Sequence, residues 1–165
     1  MHNILLFISL LILGSCGFTP MYGTINNDNK QSTEDILRKI YISTIPDREG
    51  QFLRNQLIDN FNNTGNNDEY TYTLHTEKIN EKETELDITK SSDATRMQLK
   101  ISTTIKLEHN ITGEIIFSRK LHSITSYNIL SSQFTTKASE EYARNNALKD
   151  IARQIETQIA IFLKG

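Results

Sequence analysis

The chain has one cysteine and no tryptophan. A lone cysteine cannot close an intrachain disulfide, so a small secreted fold stapled by disulfides is excluded. Neither sign of charge is in excess. Eighteen lysines and arginines face twenty acids, a formal net charge of −2. A general nucleic-acid binder would be basic, so that class is disfavoured. Glycine is sparse, and its seven copies (Gly14, Gly17, Gly23, Gly50, Gly65, Gly113 and Gly165) make no phosphate-cradling loop and no dinucleotide fingerprint. No serine occupies a Gly-x-Ser-x-Gly elbow. His2, His75, His109 and His122 form no HExxH and no pair at helical ligand spacing. His75 and His122 sit at polar positions of strand patterns and read as surface residues. Glu77, Glu81, Glu83, Glu85 and Asp87 crowd one segment without the sharp glycine turn of a calcium loop. They read as a solvated hairpin. Neither a catalytic group nor a metal or cofactor site is expected.

What is present starts at the N-terminus. Ile4 to Leu13 reads ILLFISLLIL. As a helix it rises about 15 Å, half of a hydrocarbon core of about 30 Å, so it is too short to span a bilayer. It fits the apolar part of a secretory signal, although Met1-His2-Asn3 offers only the amino terminus as positive charge. Leu13-Gly14-Ser15-Cys16 follows directly and resembles the bacterial lipoprotein signal, in which the cysteine becomes the new N-terminus. The small residues suit a narrow peptidase site, and the thiol can carry diacylglycerol. One acyl chain holds a protein marginally, at about 0.8 kcal/mol per buried methylene, whereas several make a lasting anchor. Gly17, rather than aspartate, follows the cysteine, which favours the outer membrane in the lipoprotein sorting rule. Residues 1–15 are expected to be a signal peptide and 16–32 a lipidated start with a flexible tether. Residues 33–165 then form the folded, periplasm-facing domain.

Periodicity divides that domain. Thr33 to Leu37 fits a helical turn, and Lys39 to Ile45 a short strand ended by Pro46. Asp47 is a plausible N-cap for a helix over about 48–62, where Leu53, Leu57 and Phe61 recur every four residues. Asn62 to Asn67 (NNTGNN) is a loop. Tyr70, Tyr72 and Leu74 alternate in a second strand, and a turn is expected near Asn80 to Lys82. Leu86 and Ile88 are even-numbered, while Met97, Leu99, Ile101, Ile105 and Leu107 are odd-numbered. A strand changes face only with an extra residue, so Lys90 to Ala94 is expected to hold a bulge or short loop. Asn110-Ile111-Thr112-Gly113 is a hairpin turn into a fourth strand ending near Tyr127. From Lys137 onward a helical stripe includes Ala138, Tyr142, Leu148, Ile151, Ala152, Ile155, Ile159, Phe162 and Leu163.

The order β-α-β-β-β-α implies an α+β two-layer sandwich, a four-stranded sheet with two helices packed on one face. The other face is left open. Between Lys90 and Thr125 the bases Lys90, Arg96, Lys100, Lys106, Arg119 and Lys120 outnumber the acids Asp93, Glu108 and Glu114. Such residues on an open face suit lipid phosphates. An ordinary solvated face accounts for them as well.

Four segments resemble the LptE family, the lipopolysaccharide-assembly lipoproteins of the outer membrane. Cys16 to Gly23 (CGFTPMYG) is similar to a CGFxPxYG signature, and Ile45 to Asn55 contains DREGQFLRN, similar to DRxGQxLRN. Ala94-Thr95-Arg96 and Ser126-Tyr127-Asn128 resemble two further landmarks, ahead of a long last helix. The resemblance implies a non-enzymatic protein that plugs the β-barrel LptD and helps it deliver lipopolysaccharide to the outer leaflet. It also implies lipopolysaccharide binding through basic residues. Arg96 is the first candidate because it falls in a landmark, with Lys100 and Lys120 behind it. Another periplasm-facing binding or scaffold lipoprotein is the alternative, and a hydrolase is a more distant one. No cofactor is expected beyond the lipid on Cys16. Cys16→Ser is expected to abolish lipidation and leave a precursor-sized band. Labelled palmitate entering that variant would contradict the assignment.

Overall fold

Alternation in the two longest strands shapes the architecture. The computed structural model describes residues 33–61, 70–88 and 94–164. The expected signal peptide, the lipidation site Cys16 and the tether lie outside these residues, as do the NNTGNN loop and Lys90. The elements are α1 (Thr33–Leu37), β1 (Ile40–Ile42), α2 (Asp47–Asn60), β2 (Tyr72–Thr76), β3 (Asn80–Ile88), β4 (Ala94–His109), β5 (Glu114–Asn128) and α3 (Gln133–Lys164). Strand β4 is the spine of a five-stranded sheet. Along one side it pairs antiparallel with β5 over nearly its whole length, from Arg96↔Asn128 to His109↔Glu114. Along the other, its first part pairs with β3 and its last part with β2, both antiparallel. Strand β1 lies outside β2 and parallel to it, with Ile40 opposite Tyr72.

The class is α+β as expected, but the sheet has five strands rather than four. Asn80 to Lys82 is the start of β3 and not a turn, and Ile88 pairs with Ala94, so β3 and β4 are two antiparallel strands; of the segment expected to hold a bulge or short loop, residues 90–93 lie outside the described residues. A switch from even to odd apolar phase follows from a chain reversal as readily as from a bulge. The β3 residues opposite Met97, Leu99 and Ile101 are Glu85, Glu83 and Glu81. Acids where a half-buried strand would carry apolar residues hide its alternation. A bulge does occur in β4–β5, where the register shifts between Leu107 and Glu108.

One layer of helices covers one face. In β4 the odd-numbered Leu99, Ile101, Ile105 and Leu107 are fully buried, and so are Leu53 and Leu57 of α2, Phe61 just beyond it, and Ile151, Ile155 and Ile159 of α3. All belong to one core cluster with Ile40, Ile42, Ile45 and Leu74. Each such side chain contributes about 1.5–3 kcal/mol by leaving water, which is how a lean composition sustains the domain. The buried side of α3 runs through Ala143, Ala147, Leu148, Ile151, Ala152, Ile155, Ile159 and Ala160. Ala138 and Tyr142, expected on that stripe, are exposed, Tyr142 at 71%. Burial of the helix begins at Ala143, where Thr125 donates to the Ala143 carbonyl at 3.2 Å. Small residues there let α3 lie close to β5.

The start of α2 also departs from expectation. Pro46 is the cap residue and no side chain caps the helix, while Asp47 has φ 66°. Asp47 instead meets Lys78 at 3.0 Å. Three residues on, Gly50 is buried against Ile45, and a Cβ there would stand 2.7 Å from Ile45 Cγ2. That approach accounts for a helix-weakening glycine in the first turn.

Charged pairs fasten the outer edge of β3 to α3. Arg144 donates to Glu81 at 2.9 and 3.1 Å and to Glu140 at 2.6 Å, and Lys137 donates to Glu140 at 2.8 Å. The Tyr127 hydroxyl donates to Glu83 at 3.1 Å. Burial first, and then this bond, push the Tyr127 phenol up to about 12. Burial alone would raise the Glu140 carboxyl. The hydrogen bonds from Lys137 and Arg144 outweigh it and hold Glu140 below the usual carboxylate range. Asp150 follows the same rule: bonds from Ser123 and Gln154 overcome its burial. A carboxylate depressed in the folded state stabilises above its unfolded pKa, and that contribution is lost as pH falls through the folded value. Glu140→Gln is therefore expected to cost about 1–2 kcal/mol at pH 7, the scale of a charge-assisted bond in a partly buried site. Urea denaturation should show the difference shrinking as pH falls through and below the usual carboxylate range. A pH-independent difference would contradict the ionic origin.

Candidate ligand-binding face

The face of the sheet away from the helices carries the even-numbered residues of β4 and most of those of β5. Cross-strand partners share a face, so the register lays out its rows. Lys82, Lys100 and Ile124 form one row, and Asn80, Ser102 and His122 the next. Thr104 lies beside Lys120, and His75 beside Lys106 and Ser118. Arg96 is opposite Asn128 at the far end.

The three residues singled out from sequence thus come to one face. Arg96, Lys100 and Lys120 are all exposed on it. They do not converge on one pocket: positions 96, 100 and 104 are four residues apart along β4, roughly 13 Å per step. Arg96 is held by Ser126, which accepts from Nε at 3.3 Å and from Nη2 at 2.9 Å. Lys106 is on the same face, 2.9 Å from Glu77. Its hydrogen bond, reinforced by one from Thr104 and by the nearby Lys120 charge, draws the Glu77 carboxyl below its usual range. Arg119 is not part of the face. It pairs in register with Ile105 and so belongs to the helix-covered side, at the exposed β5 edge.

Lys82 joins the set and was not anticipated, because a turn was expected there. The visible signal was the alternation Glu81, Glu83, Glu85 against Lys82 and Thr84, which separates charges onto two faces of a strand. Lys82 lies directly opposite Lys100. Like charges facing each other across a sheet destabilise it, and Cβ atoms at such positions stand about 5 Å apart. Ile124 completes the row with 51% of its surface exposed. Two ammonium groups beside an exposed apolar side chain suit a ligand with both anionic groups and hydrocarbon.

His75 Nε2 lies 2.8 Å from Glu108 Oε2 at the other end of the face, both partly exposed. Among the described residues no group of three or more histidine, cysteine or acidic side chains is placed to hold a metal. Shallow clefts lie elsewhere, between Ile36 and Leu163 and beside Ile129 and Leu130. Neither cleft lies on the open face, and an open sheet face favours an extended ligand over a small molecule.

The family model for LptE, lipopolysaccharide-assembly, matches residues 37–159. That span holds the Ile45–Asn55, Ala94–Arg96 and Ser126–Asn128 segments and leaves out Cys16 to Gly23. The fold is shared with a protein of Caulobacter crescentus CB15 described as a lipoprotein, at 19% identity and TM-score 0.66, covering 81% of this chain and 96% of that one. A minor lipoprotein of Acinetobacter baumannii is similar at 24% identity and TM-score 0.60, covering 75% of this chain and 92% of that one. Rare lipoprotein B of Shewanella oneidensis is similar at 12% identity and TM-score 0.58, covering 76% and 98%. No curated protein matches the chain.

Lys82→Thr should relieve the like-charge pair with Lys100. A gain of up to about 0.5 kcal/mol is expected at low salt, fading as the Debye length shrinks to about 3 Å near 1 M. Urea midpoints at the two ionic strengths measure it. A gain that persists at high salt would point to strand propensity instead.

Proposed function

The chain belongs to the LptE family of lipopolysaccharide-assembly proteins, and from that premise we propose that it is an outer-membrane lipoprotein of the lipopolysaccharide translocon. Acylated Cys16 anchors it, and the folded domain sits as a plug in the LptD β-barrel. Its open face guides lipopolysaccharide towards the outer leaflet, and it performs no catalysis. The observation that carries this reading is the segregation of charge: Lys82, Arg96, Lys100, Lys106 and Lys120 all occupy the one sheet face that no helix covers.

Supporting points are physical. Phosphorylated lipid headgroups are recognised by cations placed as point charges and forks, and lysine and arginine supply both. Most of the remaining positions of the face are polar, among them Ser102, Thr104, Ser118 and Ser126, a composition suited to a hydrophilic barrel lumen. The domain's structural neighbours carry lipoprotein names. Among the described residues no helix is long and apolar enough to cross a membrane. A lipid anchor with a tether raises the effective concentration of the domain beside a membrane partner.

Charge reversal tests the ligand. Arg96→Glu combined with Lys100→Glu is expected to weaken lipopolysaccharide binding at least tenfold at low salt, with thermal unfolding nearly unchanged. The partner is tested by extracting the acylated protein in detergent from cells that overproduce the tagged barrel. It should co-purify with the barrel. A domain that stays monomeric there, with unchanged lipopolysaccharide affinity in the double variant, would contradict the reading.

A further inference from the structure

Strand β5 bounds one side of the sheet. It pairs with β4 and with no other described strand. Its backbone groups point alternately towards β4 and away from it. The register is unbroken from Phe117 to Asn128, so two bonds fix the phase. The Ile129 N–H donates to the Thr95 carbonyl of β4 at 3.0 Å, which turns the odd-numbered residues inwards. The His122 carbonyl accepts from the Gln154 side chain of α3 at 3.1 Å, which turns the even-numbered residues outwards. Leu130 follows the same rule: its N–H donates to the Thr136 hydroxyl at 2.9 Å and its carbonyl accepts from it at 3.2 Å. Gln154 and Thr136 thus close the edge at two points. Before His122 it is open. Among the described residues, the outward N–H and C=O groups of Ser118 and Lys120 and the N–H of His122 have no bonding partner. Arg119 points to the helix-covered side and is exposed all the same, so α3 leaves that position uncovered.

The open stretch also has one sign of charge. From Ile115 to Ser123, β5 holds Arg119 and Lys120 and no acid. Two acids near it are engaged already, Glu77 with Lys106 at 2.9 Å and Asp150 with Ser123, Gln154 and Arg153. A second copy of β5 added here would bring the same cations together, which cross-strand pairing penalises. An acidic strand is favoured instead. Residues opposite Arg119 and Lys120 would point to opposite faces, so two adjacent acids would meet one cation each.

We propose that the edge of β5 from Ser118 to His122 accepts an extended acidic segment of the enclosing barrel partner as a further strand of the sheet. The inference rests on the plug of the proposed function and gives the chemistry of one of its contacts. In strand addition, main-chain hydrogen bonds supply affinity and alternate side chains supply selectivity. The strands of a closed barrel have no free edge, so the added strand belongs to a loop or terminus of the partner that reaches into the lumen. A strand added at an edge extends the sheet in its own plane, and the open face stays uncovered.

Proline at an edge position removes an outward N–H and leaves the ladder to the inner neighbour intact. Ser118→Pro is therefore compared with Ser118→Ala, which keeps the N–H. Each variant, in the mature protein lipidated at Cys16, is co-produced with the tagged barrel and washed in detergent with rising urea. Retention of Ser118→Pro is expected to fall at least about fivefold below that of Ser118→Ala. Equal retention overturns the strand addition and leaves the plug standing. Failure of the unsubstituted protein to hold the barrel overturns the plug, and this contact with it. A second arm does not depend on how Ser118→Pro folds. A benzoylphenylalanine photo-crosslinker in place of Arg119 is activated in the complex, and the cross-linked peptide is identified by mass spectrometry. The expected product is a loop or terminal segment of the barrel with adjacent acidic residues. A product in a barrel-wall strand, a product between two copies of this chain, or no product contradicts the proposal.

Discussion

Burial of one sheet face, and only one, is the constraint on which the rest of this domain depends. The odd-numbered residues of β4 go under α2 and α3, and the even-numbered residues consequently cannot. A strand has a side-chain period of two, so the same backbone that builds the core also builds the exposed face, in register and without further instruction. A shift of β4 by one residue against its neighbours would bury Lys100 and Lys106 and expose Ile101 and Ile105. The free energy of the core therefore holds the positions of the surface cations. Strand β4 bears this most heavily, since it pairs with β2, β3 and β5.

The open face is correspondingly not arranged for stability. Lys82 faces Lys100, and Ile124 stands exposed beside them. The polar contacts that join α3 to the sheet lie on the covered side, in the Arg144–Glu140–Glu81 network and the Asp150–Ser123 bond. Lys106 on the open face is paired with Glu77, but Lys82 and Lys100 stand side by side there, an arrangement consistent with the anionic ligand proposed for this face.

Much of this was legible in the residues. The α+β class, the helix around Leu53, Leu57 and Phe61, the long last helix and the β4–β5 hairpin all follow from periodicity strong enough to survive without context. Arg96, Lys100 and Lys120 could be put on one face because their numbers are even where the core's are odd. What was hidden was hidden for physical reasons. Strand β3 carries Glu81, Glu83 and Glu85 towards the covered side because it lies at an edge, where α3 supplies Arg144 instead of an apolar partner. The apolar Tyr142 fits the helical stripe but lies before the first buried position, Ala143. Position 47 has the composition of an N-cap, yet the cap residue is Pro46, and Asp47 takes a left-handed conformation beside Lys78. None of these depends on local sequence alone.

The central claim is that the uncovered sheet face receives lipopolysaccharide while the outer surface of the helices does not. Lysine acylation read by mass spectrometry tests it on the mature protein lipidated at Cys16, with and without lipopolysaccharide. Lys100 and Lys120 lie exposed on the face, and Lys149 lies exposed on α3. The account predicts that ligand slows acylation of Lys100 and Lys120 several-fold and leaves Lys149 unchanged. Equal protection of all three, or protection of Lys149 alone, would contradict it.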